Sequence, residues 1–463
     1  MAIISFTKFD LGIDHRKGPT VSDANRLQEL KNGYVTTGLA ISKRQGLTKI
    51  GDLTPGTRGL FSYEGKLHTF YCGSNAITHR NPLFVADRLI NGNSPVKAVH
   101  YADNYNGFIY VSVTHENGQT RHHYLDNASN TLVTDAKCPH SKAVLKLNSK
   151  MFAVGEKGDT VRYCATGKCR DWSASRDAGF LPTGLNSTGA KEANALGIYK
   201  NNLVVMTRDS AQIWKTDPDP NAMGLIDRVE NVGTSFPKTV ATVAGDLYFL
   251  SDYGFRSITT LAYTDNLADV DIGSPIDTLV RSTLKETDSE PQAFYFYGTG
   301  QYVCCLGKHL FVYSLSRTSR ISAWSQYLLN ENVEAVAQLG QDLYIRCGDE
   351  VFKLDGEAAT DDGEPFEVFI EIPYMDLKRP GELKRIYGVD VVCEGECEIS
   401  VGYDERNRDA YTPGILVSGN TRPGGLIPIE VMGTAFSFRI RNFTDKPFRL
   451  DAITIYFDSL GPL

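Results

Sequence analysis

Apolar and polar residues alternate along most of this chain in short runs of about five residues, separated by turns that contain glycine or polar residues. One order recurs seven times: an apolar strand, a turn, a second apolar strand, another turn, and often a third strand. Because alternation sends neighbouring side chains to opposite faces of a strand, the pattern predicts β-structure almost throughout. The repeats begin at Arg58, Lys97, Lys142, Asn194, Lys238, Gln292 and Glu334.

The spacing of the repeats indicates their architecture. Successive starts lie 39, 45, 52, 44, 54 and 42 residues apart. A period of this length with three or four strands per unit is typical of a β-propeller blade. One blade cannot bury both faces of its sheet, whereas a ring of blades buries them and leaves no long exposed edge. The sequence therefore predicts a propeller of six or seven blades over residues 57–357.

The C-terminal part lacks this rhythm. The acidic segment "EAATDDGEP" (Glu357–Pro365) carries glycine and proline and is predicted to be a linker. Beyond it, six or seven alternating strands predict an antiparallel β-sandwich, so residues 358–463 form a second domain. Strict alternation from Phe436 to Ile440 predicts one buried face and one solvated face.

The N-terminal residues 1–56 are predicted to form a small helix-plus-strand segment. The stretch Ser22–Asn32 begins at a residue type that caps helices and places Leu27 and Leu30 on one side, which favours a short helix. The following stretch "GYVTTGLAISKRQGLTKIG" (Gly33–Gly51) alternates like a strand and carries a basic pair. Because it precedes the repeats, we interpret residues 1–56 as a docking segment.

Charge narrows the class of protein. The chain has 463 residues and a formal net charge of −7, which argues against a dedicated nucleic-acid binder. Residues 1–50 carry a net charge of +4, and residues 361–463 carry −7. This split favours head-to-tail contacts between copies, and ordinary surface variation is the alternative. No apolar run approaches 18 residues, so we expect no stable membrane insertion.

No strong catalytic motif is present. Walker, HExxH and GxSxG sequences are absent. His122 and His123 occupy adjacent strand positions, which face opposite ways and argue against joint metal binding. Cys164 and Cys169 suit a redox pair or half of a zinc site, but no second pair completes that site. Buried, reduced thiols are the favoured interpretation, and we expect no enzyme activity, no cofactor and no metal.

Several stretches together resemble one family. The opening "DANRLQELKNGYVTTGLAISKRQGLTKIG" (Asp23–Gly51) resembles the N-terminal segment of tail-nozzle, or tail-hub, proteins of short-tailed bacteriophages. Gln45 stands where many relatives have proline. The blade that begins at Asn194 and the closing "KPFRLDAITIYFD" (Lys446–Asp458) are also similar to that family, so the resemblance spans nearly the whole chain. The shared N-terminal elements are Asn32, Val35, Lys43, Arg44, Gly46 and Leu47.

The resemblance implies a structural virion protein without enzymatic activity. Such proteins form a hexamer around the tail axis below the portal and adaptor rings, close and conduct the DNA channel, and anchor a needle or tail fibres. The expected location is the virion tail, assembled in the host cytoplasm. An acidic conduit fits non-specific passage of viral DNA, because it repels phosphates weakly and lets the DNA slide.

The basic pair provides the one site prediction. A segment outside the repeat must pack on its own ring or on a partner. We therefore predict that Lys43 and Arg44 lie at or near a subunit or inter-ring interface. The alternative is that they cap the first blade.

Two other functions stay open. A glycan-binding or glycan-cleaving propeller of a receptor-binding tail protein would need carboxylates and exposed aromatic rings at one mouth of the ring. Ser251–Phe255 is similar to one Asp-box of sialidase propellers, although it lacks the Thr-Trp end and occurs once. The third possibility is a protein-interaction propeller of the bacterial host.

Overall fold

A computed structural model describes residues 2–16, 18, 25–90, 94–126, 130–173, 177–187, 189, 192–259, 271–316, 318–419 and 426–462. The described residues are nearly all in strands and turns, with one α-helix, α1 (Asp277–Glu286), and three single 3₁₀ turns. The chain begins with six short strands that precede the predicted repeats. They are β1 (Ala2–Phe6), β2 (Gly12–Ile13), β3 (Arg26–Leu27), β4 (Glu29–Lys31), β5 (Gly33–Val35) and β6 (Ile41–Lys43).

Seven groups of three or four consecutive strands follow, and residues at or just before the first strand of each group line one common cavity, so the propeller has seven blades. The first three blades follow strand β7 (Gly46–Asp52). Within each blade consecutive strands are antiparallel neighbours, except that β9 and β10 pair in parallel. Their strands are β8 (Arg58–Tyr63), β9 (Lys66–Tyr71) and β10 (Phe84–Arg88); β11 (Val96–Tyr105), β12 (Phe108–His115), β13 (Thr120–Leu125) and β14 (Asn130–Leu132); and β15 (Val144–Leu147), β16 (Lys150–Val154), β17 (Val161–Tyr163) and β18 (Gly179–Leu181).

The remaining four blades have the same plan, and α1 lies between the fifth and the sixth. Their strands are β19 (Ala195–Tyr199), β20 (Asn202–Met206), β21 (Ser210–Lys215) and β22 (Gly224–Glu230); β23 (Ala241–Val243), β24 (Asp246–Ser251) and β25 (Gly254–Ser257); β26 (Gln292–Phe296), β27 (Gln301–Leu306), β28 (His309–Ser316) and β29 (Ile321–Leu328); and β30 (Ala335–Leu339), β31 (Asp342–Cys347) and β32 (Glu350–Asp355).

Tight hairpins repeat at the end of the first strand of a blade. In five blades the two turn residues both have positive φ, the backbone of a type I′ turn, whose twist matches the flanking strands. Asparagine and glycine are frequent there because they tolerate this conformation. The turns are Glu64–Gly65, Asn106–Gly107, Asn148–Ser149, Lys200–Asn201 and Ala244–Gly245.

The N-terminal strand β7 closes the ring. It pairs antiparallel with β32 as the fourth, outer strand of the seventh blade, for example Leu47 opposite Leu354. On the inner side, β30 of the seventh blade contacts β8 of the first. Residues 46–52, which the sequence analysis assigned to the docking segment, are thus an outer blade strand supplied from the start of the chain.

The C-terminal region forms the expected antiparallel sandwich, but N-terminal strands complete both sheets. One sheet has the order β39-β36-β41-β6-β5, with β1 also paired to β41. The other continues from β29 of the sixth blade through β4 into β35-β40-β37-β38. The remaining strands are β33 (Thr360–Asp361), β34 (Glu364–Pro365), β35 (Val368–Met375), β36 (Glu382–Glu394), β37 (Glu396–Gly402), β38 (Ile415–Ser418), β39 (Ile427–Gly433), β40 (Phe436–Asn442) and β41 (Arg449–Pro462).

Two local predictions are wrong. Ser22 lies outside the described residues, but residues 25–32 form β3 and β4 instead of a helix. The predicted linker is instead a small hairpin, because β33 pairs with β34 and also with β7.

On β40, Phe436, Phe438 and Ile440 are buried as expected, yet Ser437 is buried too and donates to the carbonyl of Ile372.

One continuous core joins the two domains. Buried residues of the sandwich, such as Ile399 and Ile455, belong to the same apolar cluster as Trp324 of the sixth blade and Phe255 of the fifth. The Phe255 and Trp324 rings stack at 4.6 Å between centroids. The propeller and the sandwich therefore share buried apolar surface, and removing it from water stabilises the whole body.

Candidate functional site

Arg44 lies buried where the seventh blade, the sandwich and the N-terminal strands meet. Its Nη1 donates to Oδ1 of Asp361 at 2.8 Å, and its Nε donates to Oδ1 of Asn32 at 3.1 Å. Its guanidinium carbon lies 3.7 Å from the centroid of the Phe366 ring. The side chain of Arg44 is 1% exposed and that of Asp361 is 11% exposed, so this is a buried ion pair with additional hydrogen bonds.

Lys43 points from the same junction into the sandwich. Its Nζ donates to the carbonyl oxygen of Thr444 at 2.6 Å and to Oδ1 of Asn442 at 3.3 Å, and it lies 4.4 Å from the Phe366 ring centroid. Burial, and then the charge of Arg44, lower the pKa of Lys43 to about 8. The cation is thus held by groups of its own chain.

The predicted interface at Lys43 and Arg44 does not fit this environment. Both residues are buried, at 7% and 2% exposure, so neither side chain is presented to a neighbouring subunit. Most other N-terminal cations also pair within the chain: Arg16 and Arg26 contact Asp14, and Lys49 contacts Glu350. Charged residues are seldom buried unless they are paired, and each of these cations has its partners within the chain.

The other N-terminal elements of the resemblance also serve this junction. The side chain of Asn32 donates from Nδ2 to the carbonyl of Glu367 at 2.8 Å, and its Oδ1 accepts from the amide of Leu328 at 2.9 Å. Gly46 has no room for a side chain, because a Cβ there would lie 2.1 Å from the carbonyl oxygen of Thr360. These residues join the sixth blade, the seventh blade and the sandwich.

A second candidate site lies on the propeller axis. A cavity of about 790 Å³ is lined by the first strands of six blades and by residues just before the first strand of the fifth blade. Its volume is within the range of sites that bind small molecules. The lining takes only the first few residues of each strand, so the cavity is a cup at one end of the ring. The lining is polar and apolar in similar shares, and its apolar residues include Leu60, Val99, Val144, Leu196, Phe294 and Val336.

The first residues of the sequence repeats meet at the rim of this cup. Equivalent positions of the blades lie at the same end of the ring, so residues far apart in sequence become neighbours. Six repeats have glycine or alanine at their second position, which leaves the cup open. Among the described residues that line the cavity, the charged ones are Arg58, Lys97, Lys142, Lys238, Glu290 and Glu334.

Both rim carboxylates already have cationic partners. Glu290 pairs with Lys238 at 2.8 Å between Oε2 and Nζ. Glu334 lies 3.8 Å from Nε of Arg346, a buried side chain that also donates to the carbonyl of Thr57. By contrast, Lys97 and Lys142 are exposed and have no ion pair within the described part of the chain. The rim therefore has a surplus of positive charge on a chain whose net charge is negative.

The charges at this rim change the pKa of His100. Its Nε2 lies 2.7 Å from Oγ1 of Thr114. Burial and the charges of Lys238 and Lys142 together lower the pKa of His100 to about 4, against an opposing effect of Glu290. The imidazole is neutral at neutral pH, so the fixed cations of the rim are arginine and lysine.

The remaining sequence candidates are buried inside blades. His122 bonds to the hydroxyl of Tyr110 and to the carbonyl of Ser141, and burial lowers the pKa of both His122 and His123 to about 3. Cys164 and Cys169 are buried, which raises their thiol pKa values to about 11 and about 12. Within the described ranges, no group of three or more His, Cys, Asp or Glu residues is arranged to hold a metal ion.

The rim was not predicted, although the positions of its basic residues in the repeats are visible in the sequence. The basic residues stand at the first position of the repeats, before a small residue and an apolar one, as in "KAVH" and "KAVL". Aligning the repeats by this position shows the ring of charge.

Comparisons with known proteins give a distant likeness. The chain is similar to BamB from Moraxella catarrhalis, with 12% sequence identity, a TM-score of 0.38, and coverage of 77% of this chain and 97% of the BamB chain. No protein-family model matches the sequence, and no curated protein matches it. In the part of the chain that the structure describes, no helix has the length and apolarity needed to cross a membrane.

Proposed function

We propose that this chain is a structural virion protein that forms the hexameric tail hub, or nozzle, of a short-tailed bacteriophage. The observation that carries the proposal is the role of the residues that resemble this family. Asn32, Arg44 and Gly46 join two blades and the sandwich into one body. Such residues suit a subunit that must keep its shape under load, because a buried paired charge is costly to separate from its partner.

The sandwich offers the best surface for contacts between subunits. Half of the 14 large apolar residues that are exposed among the described ones lie on the sandwich or its N-terminal strand β1, a minor part of the chain. Exposed apolar side chains are frequent in protein contact surfaces. The seven are Ile3, Tyr403, Leu416, Leu426, Met432, Phe443 and Leu460.

Net charge supports the conduit role. The chain carries −7 overall, and residues 361–463 also carry −7. A ring of such subunits would repel phosphates weakly and let DNA pass without holding it. In this proposal the ring attaches below the portal and adaptor proteins and anchors needle or fibre proteins at its other end.

Charged substitutions on the sandwich test the proposal. The chain is expressed together with the products of its neighbouring genes, and the mass of the resulting complex is measured. We expect Leu416→Asp and Met432→Asp to abolish ring formation while the monomer stays folded. The control is Ile226→Asp on the outer strand of the fourth blade, an equally exposed position that should leave the ring intact. If the control disrupts assembly as strongly, or if no ring forms with wild-type protein, the proposal fails.

The glycan-binding or glycan-cleaving alternative stays a prediction. The two carboxylates that line the cavity are engaged with Lys238 and Arg346, whereas a glycosidase needs a pair that is available to the substrate. A glycan-array screen tests the binding form of this alternative directly.

A further inference from the structure

We propose that the cup on the propeller axis binds a small organic anion with an apolar body. Its negatively charged group would lie at Lys97 and Lys142, and its apolar part would pack against the first strands of the blades. This inference concerns the inside of one subunit, so it does not depend on the proposed assembly.

The shape and lining of the cup fit such a molecule. The volume of about 790 Å³ accommodates a body of drug-like size. The lining includes the partly exposed apolar residues Val99, Phe294 and Val336 as well as the exposed lysines Lys97 and Lys142. The anionic group of such a molecule would pair with the lysines at the rim, and its apolar part would contact apolar side chains in the cup. The apolar part would then be removed from water without burial of an unpaired charge.

The charge arrangement argues that the rim is not an ordinary solvated face. Lys97 and Lys142 come from the second and third blades, whose first strands are in contact. Lys238 of the fifth blade lies close enough to His100 to act on its titration together with Lys142. Arg58 likewise acts on the neighbouring buried Arg346. Converging like charges cost free energy in the empty protein, and an anion would relieve that cost.

The direct test is a titration with 8-anilino-1-naphthalenesulfonate, an anion with an apolar ring system. We expect one saturable site in the wild-type protein, with fluorescence that dodecanoate reverses. Inorganic phosphate at the same concentration should compete poorly, because it lacks an apolar body. If phosphate displaces the probe as well as dodecanoate does, the cup is an inorganic-anion site and the proposal is wrong.

Charge variants locate the site. The double variant Lys97→Gln with Lys142→Gln should weaken probe binding by about tenfold or more, equivalent to about 1.4 kcal/mol. The matched control is Lys137→Gln with Lys157→Gln, two exposed lysines outside the cavity lining, which should leave the affinity unchanged. Equal affinities of the rim and control variants would overturn the proposal.

A third variant should act in the opposite direction. Glu290→Gln removes the carboxylate that pairs with Lys238 and adds no bulk, so it raises the positive charge of the rim. We expect tighter probe binding, an effect that partial unfolding of a variant would not imitate at a single competitive site. Unchanged or weaker binding in Glu290→Gln would contradict the electrostatic part of the proposal.

Discussion

Arg44 and Asp361 form a buried ion pair across 317 positions of the chain, with Nη1 and Oδ1 2.8 Å apart. Arg44 lies between the last sandwich strand of the N-terminal segment and the strand that closes the propeller. Asp361 lies on the hairpin that leaves the seventh blade. The pair therefore fixes the start of the chain against the exit from the propeller, at the point where ring closure and sandwich assembly depend on the same residues.

Breaking this pair should destabilise the whole body. Arg44→Ala removes the only cation paired with the largely buried carboxylate of Asp361 among the described residues, and one hydrogen bond to Asn32, so we expect the free energy of unfolding to fall by about 3–5 kcal/mol. Urea denaturation followed by tryptophan fluorescence measures it. Reversal of charge at Lys43 and Arg44 should likewise unfold the protein. Its effect would therefore not be limited to assembly.

The control for this prediction is Arg406→Ala. Arg406 is exposed in a sandwich loop, and its loss should change the free energy of unfolding by less than about 0.5 kcal/mol. Equal stability of Arg44→Ala and Arg406→Ala would show that the junction contributes little.

The blades could be predicted from the sequence, but the way in which the ring of blades closes could not. Each blade is formed by residues close together in the sequence, with alternating strands and tight turns such as Asn106–Gly107. Such short-range patterns can be predicted from the sequence. The pairing of β7 with β32 joins residues about 300 positions apart, and no short-range pattern encodes it.

The misread helix has a related cause. Leu27 and Leu30 have helical spacing, but tertiary contacts bury them in separate short strands, where the amide of Gln28 bonds to Glu371 of the sandwich. The burial of Lys43 and Arg44 could not be predicted from the sequence, because their partners Asn442, Thr444 and Asp361 lie hundreds of residues away. At the end of the propeller, the rim residues can be read from the sequence, but their proximity in space cannot.

Gly46 should tolerate no side chain. In Gly46→Ala the new Cβ would lie 2.1 Å from the backbone oxygen of Thr360, and backbone cannot move aside as a flexible side chain can. We expect a loss of at least about 1–3 kcal/mol in the free energy of unfolding, the usual cost of overpacking. Gly73→Ala is the matched control, because a Cβ there meets nothing within 4 Å. Equal melting temperatures of the two variants would refute the tight contact.

Acid should destabilise the second blade and the rim. The pKa values of His122 and His123 are lowered to about 3 and that of His100 to about 4, against about 6.5 in the unfolded chain. Between these values the unfolded state binds more protons than the native state. Stability is therefore complete above about pH 6.5 and falls as the pH decreases toward 3, by up to about 3 kcal/mol per histidine at pH 4.

The variant His123→Phe tests the assignment. His123 is fully buried, and phenylalanine keeps an aromatic ring at this position while it removes the titrating group. Urea midpoints measured between pH 4 and 7 should depend less steeply on pH in His123→Phe than in the wild type. Identical slopes would show that His123 does not titrate as described.

The proposal of a ring-forming tail hub is tested most directly by native mass spectrometry combined with particle images of the chain purified with the products of its neighbouring genes. The account predicts six copies per particle and six-fold symmetric rings. A stable monomer that joins no ring with portal, adaptor or other tail proteins would contradict it.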